Sequence, residues 1–194
     1  MRVFMRYGIK SVNMDDISRQ LGISKKTLYK YVSDKTDLVK KAFRFHCDAE
    51  DKQLKEISDK NLNAIDESFE VMRMVMNMIS DLHPSVLYDL QKYHPELMSE
   101  MEKERHRIMY KSIKENLERG LKEGLYREDI KPDIVASFYV SSVESIFHKL
   151  SFVDTEYTFK ELYTELFRMH IRGIASDKGI QYLVEKMKTE QHAN

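Results

Sequence analysis

Apolar residues recur at three- and four-residue spacing along almost the whole chain, the period of an α-helix packed on one side. The six glycines and three prolines fall mostly where such a pattern ends. The spacing predicts a short helix from Arg2 to Tyr7, closed by Gly8, and then two short patterns between Asn13 and Lys35. Asn13 is placed to cap the first pattern, Asp16 completes a capping box, and Ile17 and Leu21 supply its apolar positions. Gly22 breaks the helix where positive φ is useful, Ile23 follows as a buried spacer, and Ser24 caps a second pattern from Lys25 to Val32. A longer helix is predicted from Asp34 to about Ile57, with Leu38, Ala42, Phe45 and Ala49 down one side, followed by a polar loop to Asn63.

The rest of the chain reads the same way. Met72, Met74, Met76 and Met78 alternate as in a strand, but Val71, Val75 and Ile79 between them are apolar too. Asp66, Glu70, Arg73 and Asn77 form a narrow polar stripe at helical spacing, so this stretch is a mostly buried helix. Pro84 opens a short helix through Tyr93, and Pro95 opens a long one through Leu121. Asp133 caps a helix from Ile134 to Leu150, and Thr158 with Glu161 makes a second capping box for one running to Ile174. A last amphipathic helix spans Asp177 to Lys188. No hairpin, repeat or low-complexity tract interrupts the pattern; the fold class is all-α.

The two short patterns between Asn13 and Lys35 form a helix-turn-helix arrangement. On the second, Leu28 and Val32 point inward, Lys26, Thr27 and Lys30 outward, and Tyr29 and Tyr31 flank the outer face. Such a face suits the major groove of double-stranded DNA. The candidate DNA-binding residues are therefore Lys25, Lys26, Thr27, Tyr29, Lys30 and Tyr31, the caps Asn13 and Ser24, and Lys35, placed to reach an adjacent phosphate. Charge changes the picture only when the chain is divided. Lys plus Arg equal Asp plus Glu at 32 each, yet residues 1–45 hold 11 basic against 4 acidic side chains, a net +7, which leaves −7 for the remainder. A basic head on an acidic body presents one end to a polyanion.

Gly8, Asp16-Ile17, Leu21-Gly22-Ile23-Ser24, Thr27-Leu28-Tyr29, Tyr31-Val32 and Lys35-Thr36-Asp37-Leu38 resemble the DNA-binding domain of the TetR family of transcriptional regulators. Two departures stand out: Val32 occupies a position where many members have Phe, and the first helix is several residues shorter than usual. The resemblance implies a three-helix head over residues 1–45 and a helical effector-binding and dimerisation domain over 46–194. It implies a homodimeric repressor released from its operator by a small molecule, with no cofactor and no catalysis.

An effector pocket is implied by the resemblance alone, and Met72, Met76, Tyr88, Met98, Met109 and Phe138 supply a plausible flexible or aromatic wall. Glu144, the one ionisable residue between Ile134 and Phe147, has His148 four positions on as a candidate partner. On the helix from 134 to 150, Val135, Ala136, Tyr139, Val140, Val143, Ile146, Phe147 and Leu150 share one half of the wheel. Ser137, Ser141 and Ser145 recur every four residues on the other half, a strip that lets another helix approach closely. The helix from 158 to 174 carries Phe159, Leu162, Tyr163, Leu166, Phe167 and His170 at bundle spacing, so a homodimer is expected through these two helices.

Other classes fit less well. A carboxylate-bridged di-metal bundle needs Glu-x-x-His, and none of the seven histidines has Glu three residues before it. His-Glu-x-x-His, Cys-x-x-Cys and Gly-rich phosphate loops are missing too, so no metal site is expected. A helical DNA-binding protein with no effector is the alternative, though the body exceeds what DNA binding requires. The single Cys47 rules out an internal disulfide framework, and no apolar run approaches the ~18 residues of a membrane span. A soluble cytoplasmic protein is the expectation.

Overall fold

The computed structural model describes residues 1–80, 82–83, 85–152 and 156–192, without the side chains of 149–152 and 189–192. Pro84 as a helix opener and the Leu150 side chain lie outside the described residues. Among the described residues ten helices follow in order: α1 (Arg2–Tyr7), α2 (Met14–Leu21), α3 (Lys25–Leu28), α4 (Lys35–Ser58), α5 (Ala64–Ser80), α6 (Ser85–Tyr93), α7 (Pro95–Lys122), α8 (Pro132–Phe152), α9 (Phe159–Ile174) and α10 (Asp177–His192). Among the described residues the one β-type contact is an isolated bridge between Tyr126 and Ala175. The fold is all-α.

Helix ends follow the side chains. Asn13 accepts from the Asp15 and Asp16 N–H groups while Asp16 reaches back to the Asn13 N–H, closing the capping box. Thr158 and Glu161 do the same for α9. Gly22 sits at φ 66°, a left-handed turn that lets α3 start across α2 without the strain of a Cβ. The α-helical part of α3 is shorter than its apolar pattern: it ends at Leu28, and tighter turns carry the chain to Val32 through bonds such as Lys30 N–H to Thr27 C=O.

Two apolar positions depart from expectation. Leu21 is 58% exposed because the last turn of α2 rotates it off the core, and Ile17 with Met14 does the packing. On α4, Phe45 is 72% exposed; Val39 and Phe43 form the buried edge, with Leu38 and Ala42 beside it. The strip along α4 is thus shifted round the wheel, toward the residues that meet α6 and α7.

The head does not have a core of its own. Phe4, Ile9, Ile17, Leu28, Val39 and Phe43 join Val86 and Leu90 of α6 and Leu97 and Met98 of α7 in one buried cluster. The expected division at residue 45 falls inside α4, which runs unbroken. A second tie is polar. The buried carboxylate of Asp89 on α6 accepts from the backbone N–H groups of Ile9 (2.9 Å) and Lys10 (2.8 Å), in the turn between α1 and α2. Gly8 makes this approach possible: it has φ 81°, and a Cβ there would lie 2.3 Å from the Ser85 hydroxyl. The remaining core lies between α5, α7, α8, α9 and α10, with α7 packed against α4, α5, α6 and α8.

Asp89→Ala should lower stability by about 2–3 kcal/mol, because it strands two backbone donors beneath α6. Asp89→Asn, which keeps one acceptor, should cost less. Urea denaturation of both variants checks the order; equal stability of wild type and Asp89→Ala would remove the tie.

Candidate functional site

The outer face of the head is built by α3 and the turn that follows it. Lys26 and Lys30 are exposed, Tyr31 is 71% and Tyr29 47% exposed, and Thr27 is half-buried. Ser24 Oγ accepts from the Thr27 N–H at 3.0 Å and meets Thr27 Oγ1 at 2.9 Å, which orders the start of α3. Lys25 is drawn back across α2 by an ion pair with Asp15 (2.8 Å), and that hydrogen bond raises its pKa. Lys41 donates to the Tyr31 carbonyl at 2.8 Å and holds the turn against α4. Lys35 is half-buried, donates to the Lys10 carbonyl at 3.3 Å, and has its pKa lowered by burial.

Inside the body, α4 to α9 enclose a cavity of about 210 Å³ that reaches Met5 of α1. Its middle is apolar, walled by Val71, Met74, Val75, Met78, Met109 and Val143. Tyr139, Tyr163 and His170 all line it, and the His170 ring stacks on Tyr139 with centroids 4.0 Å apart. Burial pushes the His170 pKa down to about 4, so the ring is neutral near pH 7. Nearby Asn116 donates to Glu67 (3.1 Å) and to the Ala64 carbonyl (2.9 Å), and Arg119 pairs with Glu67 at 2.7 Å. Toward the head the wall is Phe43, Cys47, Val86, Leu90 and Met98. Burial, then the charge of Glu50, pushes the Cys47 thiol up to about 11, so it stays protonated. A second, open groove lies between α6, α7 and α8, lined by Gln91, Glu102, His106, Ser141, Glu144 and His148 among others. Among the described residues no three His, Cys, Asp or Glu side chains converge as a metal site needs, and no helix is long and apolar enough to cross a membrane.

Residues 1–42 match the family model described as bacterial regulatory proteins, tetR family. The head is thus a tetR-family DNA-binding domain. The uncharacterized HTH-type transcriptional regulator YvaF of Bacillus subtilis (strain 168) is 24% identical over 173 residues, which cover 87% of this chain and 88% of that protein. In fold the chain is similar to a transcriptional regulator from Cytophaga hutchinsonii, with TM-score 0.72, 15% identity, and 89% and 93% of the two chains covered. It is also similar to a Saccharomonospora viridis protein in complex with choline, with TM-score 0.67, 18% identity, and 90% and 93% covered.

Against this tetR-family frame the expected site residues divide. On the head, Lys26, Thr27, Tyr29, Lys30 and Tyr31 share one outward surface, whereas Asn13, Ser24, Lys25 and Lys35 are engaged in caps, an ion pair and a carbonyl contact within the head. In the body, Met98 and Met109 line the cavity and the other four expected residues do not. Met72 and Met76 point from α5 into the core shared with α8 and α9, leaving the cavity side to Met74 and Met78. Tyr88 is 43% exposed on the outer side of α6 and accepts from Lys92 at 2.8 Å. Phe138 is 72% exposed on the far side of α8. Glu144 meets His106 of α7 at 2.9 Å in place of the expected His148, because a neighbouring helix approaches closer than the next turn of its own. The sequence pattern missed Tyr139, Tyr163 and His170 as cavity residues; His170, a polar ring at core spacing on α9, was the available signal.

Neutral His170 gives the fold a defined acid sensitivity. Its folded pKa lies below the unfolded value near 6.5, so as pH falls from there toward about 4 the unfolded state binds the proton first and stability drops, by up to about 3 kcal/mol. His170→Gln should flatten that part of the curve. Thermal unfolding at intervals between neutral and acidic pH checks it; identical pH profiles for the two proteins would contradict the buried neutral ring.

Proposed function

We propose that this regulator is a homodimeric repressor whose grip on its operator is loosened when a small molecule occupies the body cavity. The observation that carries the reading is the double role of α6. One side of that short helix lines the cavity through Val86, Leu87 and Leu90, and Asp89 on it holds the α1–α2 turn of the head. A ligand that shifts α6 therefore shifts the head, and it does so only as far as it prefers one arrangement over the other. Phe43 and Met5, which touch both head core and cavity, give the same shift a second route. That a protein of the same fold was solved in complex with choline supports a ligand-binding body.

The head would meet DNA through Lys26, Thr27, Tyr29, Lys30 and Tyr31, with residues 1–45 acting as the reading unit and 46–194 as the responding one. Dimerisation would use the outer faces of α8 and α9. Ile134 is 51% exposed and Phe138 and Met169 are each 72% exposed, large apolar side chains beside the exposed serines 137, 141 and 145. Ser137 and Ser142 bond back to the Asp133 and Phe138 carbonyls (2.9 and 2.8 Å), which satisfies their hydroxyls for burial under a partner helix. Phe159, Tyr163 and Phe167, expected in that bundle, instead fill the protomer's own core. Two heads must reach major grooves about 34–36 Å apart, or a multiple, so a small rotation of each spoils the fit.

Lys26→Ala and Thr27→Ala should change which operator is preferred, by about 1–3 kcal/mol where a base contact is lost, while Tyr29→Phe should weaken all duplexes alike. Fluorescence anisotropy on a duplex selected from a random library, and on its scrambled form, reads both; parent-like binding by all three would discard the surface. Phe138→Arg and Ser141→Arg should give monomers by light scattering, and intact dimers would move the interface elsewhere. Compounds that raise the melting temperature should also weaken operator binding; a cavity ligand that leaves it unchanged sinks the release mechanism.

A further inference from the structure

We propose that the effector is an amphipathic carboxylate, its apolar body lying between Met74, Met78 and Met109 and its anionic head on Arg105 of α7. This rests on the reading of the cavity as the effector site and names the chemical class it takes. The wall carries several charged side chains, and all but one already have partners. Glu50 meets His46 at 3.0 Å, Asp51 meets Lys55 at 2.6 Å, Glu67 meets Arg119 at 2.7 Å and Glu104 meets Arg107 at 2.5 Å. Arg105 has no ion pair among the described residues, and its Nε is enclosed without a hydrogen-bond partner.

Its guanidinium lies over a ring instead, with Cζ 4.7 Å from the centroid of Phe147. A ring face attracts the cation but accepts none of its in-plane N–H bonds well, so the Nε–H stays unsatisfied. An enclosed donor without an acceptor is costly, and a carboxylate is the group whose two oxygens match a guanidinium edge. Position agrees with this. Arg105, Phe147, Met98 and Leu87 border both the inner cavity and the open groove. An anion seated there lies against the polar groove while its tail enters the apolar cavity, which limits the desolvation it must undergo. A cationic ligand would find every carboxylate of the wall already paired, and a neutral one would leave the Arg105 donor unmet.

The test compares one chain length under three head groups, octanoate, 1-octanol and octyltrimethylammonium, by calorimetric titration and thermal shift with the full chain, without DNA. Octanoate should bind wild type at least about tenfold tighter than octanol. Arg105→Met should lose that advantage and keep octanol affinity within about twofold; Arg105→Lys should retain part of it. Circular dichroism and the octanol titration report whether each variant is folded with its cavity intact. Tightest binding by the ammonium, equal binding of all three, no binding of any, or an octanoate affinity indifferent to Arg105→Met would each overturn the proposal. Failure of the underlying reading looks different: octanoate binds through Arg105 yet leaves operator affinity unchanged. A chemically different ligand that fills the cavity and releases DNA while octanoate does not bind would keep that reading and discard the carboxylate.

Discussion

One buried carboxylate fixes how the head sits on α6 of the body. Asp89 is buried, and its partners are not side chains but the backbone N–H groups of Ile9 and Lys10. Backbone donors cannot swing aside, so the bond fixes the position of a turn. Gly8 lets Ser85 come within a distance no Cβ would tolerate, and the shared cluster of Phe4, Ile9, Val86 and Leu90 closes around the contact. A head attached only by α4 could flex on that helix. A head tied also to α6 moves when α6 moves, and α6 forms part of the cavity wall.

That arrangement explains why the body's polar groups are organised as they are. Where Glu67 and Asn116 line the cavity, Glu67 accepts from Asn116 and pairs with Arg119, so its charge has partners inside the core. Met74, Met78, Met98, Met101 and Met109 supply the deformable part of the wall, where side chains can change rotamer without loss of polar bonds. Rigid polar end, soft apolar middle and an α6 tied to the head are what a ligand needs if its volume is to be transmitted and not absorbed at the first contact.

Helix starts such as those capped by Asn13, Ser24 and Thr158 were legible because caps are local chemistry, whereas α3 ends four residues before its apolar pattern does and α10 runs four residues past the expected end. The helix-turn-helix was legible for the same reason. Which side of a helix faces what was harder. α5 is apolar on most of its circumference, so its narrow polar stripe identifies the exposed edge and leaves Met72 and Met76 indistinguishable from Met74 and Met78. Phe138 looked like a cavity aromatic because nothing local separates an aromatic facing a ligand from one facing outward. Asp89 falls three residues after Val86 and one before Leu90, on the buried face of α6; a carboxylate at that spacing announces a buried partner, but the partner lies 80 positions away.

The outer faces of α8 and α9 leave large apolar side chains exposed. Without a second copy, Phe138 and Met169 would each leave most of their surface in water beside a strip of small side chains. With one, the two bodies become a fixed base, and each head hangs from it through α4 and α6 on the opposite side of the cavity. A displacement of α6 is then measured against that base and not lost in tumbling of a single chain. DNA, which holds its grooves at a set repeat, is the partner best able to register a displacement of that kind. Under the proposed release mechanism the dimer face, the cavity and the Asp89 tie need one another: any two without the third would leave ligand and operator uncoupled.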